Sequence, residues 1–204
     1  MINYLVVIFA ITLIYISIAE RFRIYAGILG LQGVLLFGIT LLELQEVNTA
    51  NLVFIASETL LFKAIVVPYL IFRIISKTGV NKVHKMSMPG FYLLLLDIIA
   101  MIVSIILARA LVNPFINTVF MAIAFYTLFT GMLLIVTHKY ILTQVIGFLV
   151  LENAVFIISL AVGNEAPMLI NIGILLDIFV GVLIIGLFAM RLKPHIFELT
   201  KLKD

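Results

Sequence analysis

HKYILTQVIGFLVLENAVFIISLAVG, residues 138–163, decides the fold together with INIGILLDIFVGVLIIGLFAM, residues 170–190. Each contains an apolar run long enough to cross a bilayer, and each holds one carboxylate near its middle: Glu152 in the first, Asp177 in the second. A hydrocarbon core of roughly 30 Å takes ~20 helical residues to span. Lipid cannot solvate a carboxylate at that depth, so the group must face protein or water and is a functional candidate on that ground.

Working outward, apolar runs recur at roughly 2–19, 26–42, 52–75, 91–108, 117–137, 141–162 and 167–190. Only helices and closed barrels satisfy every backbone polar group inside lipid. Continuous apolar runs, without period-two alternation, select helices. The expectation is all-α: a polytopic membrane helix bundle of about seven transmembrane helices, forming one integral membrane domain over 1–204. With 65% apolar and 11% charged residues and a mean hydropathy of +1.32, a soluble domain is excluded. The first run begins at Met1 without a basic leader or a small-residue cleavage site, so it reads as a retained helix.

Cysteine is absent, which removes disulfides, thiolate zinc sites and thiolate-held iron–sulfur clusters. His84, His138 and His195 all fall outside the apolar runs, so no haem or metal held within the bilayer is expected. There is no glycine-rich phosphate loop and no nucleophile elbow. A sequence pI near 9.2 points to topology, not to nucleic acid. Arg21, Arg23, Arg73, Lys77, Lys82, Lys85, Lys139, Arg191, Lys193, Lys201 and Lys203 gather on one side of the seven spans, and Arg109 alone lies on the other. Positive charge marks the cytoplasmic side. The N-terminus is therefore expected outside and the C-terminus in the cytoplasm, as in a protein of a cell's inner membrane.

The second span reads AGILGLQGVLLFG, with Gly27, Gly30 and Gly33 three apart. Small residues on one helix face let two backbones approach closely. The third, NLVFIASETLLFKAIVVPYLIFRI, carries Glu58 and Lys63 inside it and Pro68 a little further on. In an α-helix, positions i and i+5 lie about 140° apart, so the two charges read as poor partners for each other, each pairing elsewhere. Pro68 frees a carbonyl near Ala64 and can kink the helix there. A charge relay is one reading of the pair, and a buried ion pair that only fixes packing is the other. Asp97 lies about six residues, or ~9 Å, from the cytoplasmic end of the fourth span, either as a water-accessible entry group or as an interfacial cap. The fifth span, with Tyr126 and threonines but no charge, reads as packing. In the sixth, Asn153 beside Glu152 can hydrogen-bond across helices. Glu152 and Asp177 lie at similar depth and, on neighbouring helices, would titrate as a pair.

A weak internal repeat aligns ERFRIYAGILG, residues 20–30, with HKYILTQVIG, residues 138–147, setting Gly30 beside Gly147. It suggests a 3+1+3 arrangement: a first three-helix unit over 1–75, a connecting helix over 91–108, and a second unit over 117–190.

On SETLLFKAIVVPYLI, residues 57–71, and on residues 141–190, the chain resembles component E of hydrogenase-4, a membrane subunit of group 4 hydrogenase and formate hydrogenlyase complexes. Its last three helices are similar to the K subunit of complex I and to the counterpart of that subunit in multi-subunit cation/proton antiporters. That family has a basic loop, an Ile-Gly pair and a buried Glu, then a second acidic residue in the next helix. Lys139, Ile146-Gly147 and Asn153-Ala154 match it. The family's Glu falls at Leu149, whereas this chain has Glu152 about one turn on, and Asp177 with Gly181 takes the second acidic place.

The resemblance implies a non-redox subunit of a proton-translocating or sodium-translocating complex, with no cofactor of its own. Its partners would be other membrane subunits and peripheral subunits carrying nickel–iron and iron–sulfur centres, in a lipid bilayer and without nucleic acid. Its ion path would draw on Glu152, Asp177, Glu58, Lys63 and Asp97. The rival readings are a structural spacer, a self-contained secondary transporter and an intramembrane enzyme. Missing Gly/Pro-broken helix pairs weigh against the transporter, and missing nucleophile or metal-ligand sets weigh against the enzyme.

Overall fold

A computed structural model describes residues 1–43, 53, 55–78, 89–111 and 116–162. Among them every regular element is helical. These are α1 (Ile2–Ile18), α2 (Phe22–Glu43), a π-helix (Ser57–Val66) that runs straight on into α3 (Val67–Thr78), α4 (Gly90–Ala110), α5 (Thr118–Thr137) and α6 (Ile141–Ala161). The described elements thus make six rods, and their ends fall close to the bounds that the apolar runs predict. The run at 167–190, with Asp177, lies outside the described residues.

Five of the rods are long and apolar enough to cross a membrane: α2, the π-helix with α3 (Ser57–Ser76), α4, α5 and α6. The first, α1, is a shorter apolar helix. Their outer faces carry large apolar side chains such as Tyr4, Ile65, Tyr69, Phe91 and Ile106, which in water would be an aggregation surface. The chain is therefore a multi-pass, membrane-embedded helical protein.

α2 makes the most varied set of helix contacts. α2 packs against α1, against the π-helix and α3, and against α6, while α1 also touches α4 and α5. The core between them is built from Phe9, Leu13 and Ile16 of α1, Phe22, Tyr25 and Leu36 of α2, and Phe120 and Leu134 of α5. Where backbones meet most closely, glycine is required. A Cβ on Gly33 would stand 2.8 Å from Ala64 N and 2.9 Å from Thr59 O, and these two atoms are five residues apart, the spacing that a π-helical hydrogen bond closes. Gly30 lies against Pro68 and the Ala64 carbonyl. Gly27, which the spacing grouped with them, has open space around it. On the other side of the bundle, a Cβ on Gly131 would meet Gly147 O at 3.0 Å, so α5 and α6 cross glycine on glycine. Asn117 caps α5 by accepting from the amides of Val119 and Phe120.

Candidate functional site

Pro68 stands just inside the start of α3, and the turns before it are π-helical. A π-helix has i→i+5 bonds and roughly 4.4 residues per turn, so i and i+5 lie only about 50° apart. This overturns the expectation that Glu58 and Lys63 face apart, which assumed α-helical spacing. Both point to one side, with Lys63 Nζ 3.7 Å from Glu58 Oε1.

The same ammonium reaches across to α6. Lys63 Nζ lies 3.2 Å from Glu152 Oε1 and 4.7 Å from the centre of the Phe156 ring. Glu152 and Phe156 are four apart, hence on one helix face, and the ring adds a cation–π contact. All three charged groups are enclosed: Glu58 is 4%, Lys63 5% and Glu152 8% exposed. Both contacts are ion pairs, the Glu58 one the longer, and Lys63 Nζ makes no hydrogen bond among the described residues. Glu58 Oε2 is buried with no hydrogen-bond partner among the described residues.

Beside Glu152, α6 is held by a chain of amides. Asn153 Nδ2 donates to Gln32 Oε1 at 3.1 Å, Gln32 Nε2 donates to Thr12 Oγ1 at 3.0 Å, and Thr12 Oγ1 donates to Phe9 O at 2.6 Å. The chain crosses from α6 through α2 to α1. Gln32 is fully buried, and without these partners its amide would be costly at that depth.

Asp97 makes a second site. It is fully buried, not at the surface where an interfacial cap would stand. Tyr126 Oη donates to Asp97 Oδ2 at 2.6 Å, Thr130 Oγ1 donates to Oδ1 at 3.0 Å, and the Ser17 hydroxyl of α1 also lies against the carboxyl. The fifth span is therefore more than packing, since it supplies two of the hydroxyls that solvate a buried acid. Glu58, Lys63 and Glu152 come together, whereas Asp97 stands in its own hydroxyl nest and Asp177 lies outside the described residues.

Sequence reasoning passed over Gln32, Thr12, Ser17, Phe156 and Thr130, and read Tyr126 as packing. The usable signal was a lone amide or hydroxyl inside an apolar run, where some partner must satisfy it.

At the end of α5, His138 is buried, with Nδ1 beside Leu134 O and Thr137 Oγ1 and Nε2 without a partner among the described residues. Burial holds its imidazole below the ordinary range. Among the described residues, no three of His, Cys, Asp or Glu gather as a metal would need.

Neither protein-family models nor curated proteins nor solved structures give a match to this chain. The site must therefore be read from its own chemistry. A lysine and two carboxylates closed off from lipid can hold, lend and retake a proton or small cation, because moving one charge there changes the energy of the other two.

Proposed function

We propose that the chain is a non-redox membrane subunit of a proton-translocating or sodium-translocating complex of the hydrogenase type. In this reading it spans the inner membrane seven times, with its N-terminus outside and its C-terminus in the cytoplasm. The carrying observation is Lys63 standing between Glu152 of α6 and Glu58 of its own helix, deep in an apolar bundle. Intramembrane charges cost at least ~2.5 kcal/mol each on insertion scales, and ion pathways and proton relays are among the functions they mark. The described residues carry four such groups, counting Asp97. The resemblance in residues 57–71 and 141–190 supports the hydrogenase-type assembly, with redox chemistry left to peripheral nickel–iron and iron–sulfur partners.

A second reading has one observation in its favour. The Lys63–Glu152 pair and the Asn153–Gln32 bond tie α6 to the rest of the bundle, which is also what a spacer in a complex I-like or antiporter-like assembly needs. Co-purification from native membranes tests the class. A tagged chain is expected to bring down hydrogenase-type subunits, and isolation as a lone protein from gently solubilised membranes would count against any subunit reading. Cysteine labelling on this cysteine-free chain tests the orientation, with periplasmic labelling expected at positions 48 and 164.

A further inference from the structure

We infer that the Glu58–Lys63–Glu152 cluster holds one exchangeable proton and that Glu58 is the carboxyl that carries it, with Glu152 the standing counter-ion of Lys63. This deepens the reading above, and it rests on that reading for the membrane setting of the cluster.

The first step is charge. One ammonium faces two carboxylates. Arg21, Arg23, Arg73, Arg109 and Lys139 are exposed, so among the described side chains Lys63 is the only buried lysine or arginine. With both carboxylates ionised, the pocket would carry a net negative charge in a low-dielectric interior, which is strongly disfavoured. One bound proton makes it neutral.

The second step is placement. Lys63 Nζ lies closer to Glu152 than to Glu58, 3.2 Å against 3.7 Å. The Phe156 ring, one turn along from Glu152, draws the ammonium further to the α6 side. Glu152 thus has the ammonium as a close partner. Glu58 has it at arm's length, and its second oxygen, Oε2, has no hydrogen-bond partner among the described residues. An ionised carboxylate with an orphaned oxygen costs more than a neutral carboxyl in the same place. Oε2 is therefore where the proton sits and from where it leaves.

The third step is coupling. The charges that act on Glu58 are Lys63 on its own helix and Glu152 on α6. α2 meets the π-helix at Gly33, against the backbone of Thr59, Lys63 and Ala64, and the buried side chains of α2 are uncharged. When Glu58 gives its proton to the next acceptor along the path, the cluster passes from neutral to one net negative charge, and no electrons move. Lys63 is then pulled from α6 toward its own helix, which the π-helical spacing allows and α-helical spacing would not.

The test reads the carboxylic-acid C=O stretch by infrared spectroscopy. It uses the purified full chain in lipid nanodiscs at pH 7, in an Asp97→Asn/Asp177→Asn background that removes the other carboxylates lying within the apolar runs. One band is expected. Glu58→Asp should move it and Glu152→Asp should leave it in place. A band that moves with Glu152→Asp instead, or no band at all, overturns the assignment. If Glu58→Asp does not fold, carboxyl-13C glutamate labelling of the otherwise unsubstituted background moves the band when a glutamate holds the proton; an unmoved band overturns the proposal. The measurement needs no partner and no ion gradient, so its failure leaves the transport reading standing, and unchanged pumping leaves the band assignment standing.

Discussion

Asn153 of α6 donates its side-chain amide to Gln32 of α2 at 3.1 Å, one residue along from the carboxylate that pairs with Lys63. Gln32 in turn bonds Thr12 of α1. The rotation of α6 about its own axis is therefore fixed by an amide on the central helix, and that rotation decides whether Glu152 faces Lys63. Gln32→Leu should cost about 1 to 2 kcal/mol, the range for hydrogen bonds between helices in a bilayer. The double variant Gln32→Leu/Asn153→Leu should recover part of that loss, because it leaves no amide stranded. Unfolding by graded denaturing detergent measures both.

Gly33 and Gly27 share one sequence pattern but have different surroundings. Gly33→Ala would drive a Cβ into the Thr59–Ala64 backbone. Overpacking of this kind costs about 1 to 3 kcal/mol, and here it should also lengthen the Lys63–Glu152 pair. Gly27→Ala meets nothing within 4 Å and should be neutral or slightly stabilising, since alanine is the better helix former. Thermal unfolding of the two single variants separates these outcomes.

In the second site, Tyr126→Phe removes the donor to Asp97 Oδ2 and should destabilise by about 1 to 2 kcal/mol. On an Asp97→Leu background the same change should cost less, because the acid it served is gone. A double-mutant cycle on unfolding free energy reads the difference, and full additivity would mean that the tyrosine packs without serving the acid.

The span positions were legible in the sequence because lipid demands long apolar runs, and the runs near 91–108, 117–137 and 141–162 end within two or three residues of α4, α5 and α6. Glu58, Lys63, Asp97 and Glu152 stood out for the same reason. Their mutual geometry did not, because α-helical spacing was assumed where the backbone winds as a π-helix, and that change carries Lys63 about 90° around the axis relative to Glu58. The role of Thr130 was hidden by a common habit of hydroxyls. Thr127 and Thr137 donate to carbonyls of their own helix, and nothing in the sequence separates them from Thr130, which donates to Asp97. Gln32 was legible in principle, as the one amide in the apolar run 26–42.

His138 sets a pH dependence. Burial depresses its imidazole in the folded chain below the unfolded value of about 6.5. As pH falls through that unfolded value the unfolded state takes the proton first, so stability falls with it. Thermal unfolding of the chain in detergent should therefore weaken from pH 7 toward pH 5, and His138→Phe should flatten the profile in that window. An unchanged profile in the variant would assign the loss to other groups.

The central claim is that the Lys63 cluster handles the ion. The most direct measurement is the number of ions moved per electron by the proposed hydrogenase-type complex in proteoliposomes, with Glu58→Gln and Glu152→Gln introduced singly. Each variant keeps size and hydrogen bonding but cannot exchange a proton. The account predicts that both lower the ratio at least severalfold, while redox turnover measured with an uncoupler is largely retained. A ratio equal to that of the unaltered complex in both variants would contradict it and leave the cluster as packing.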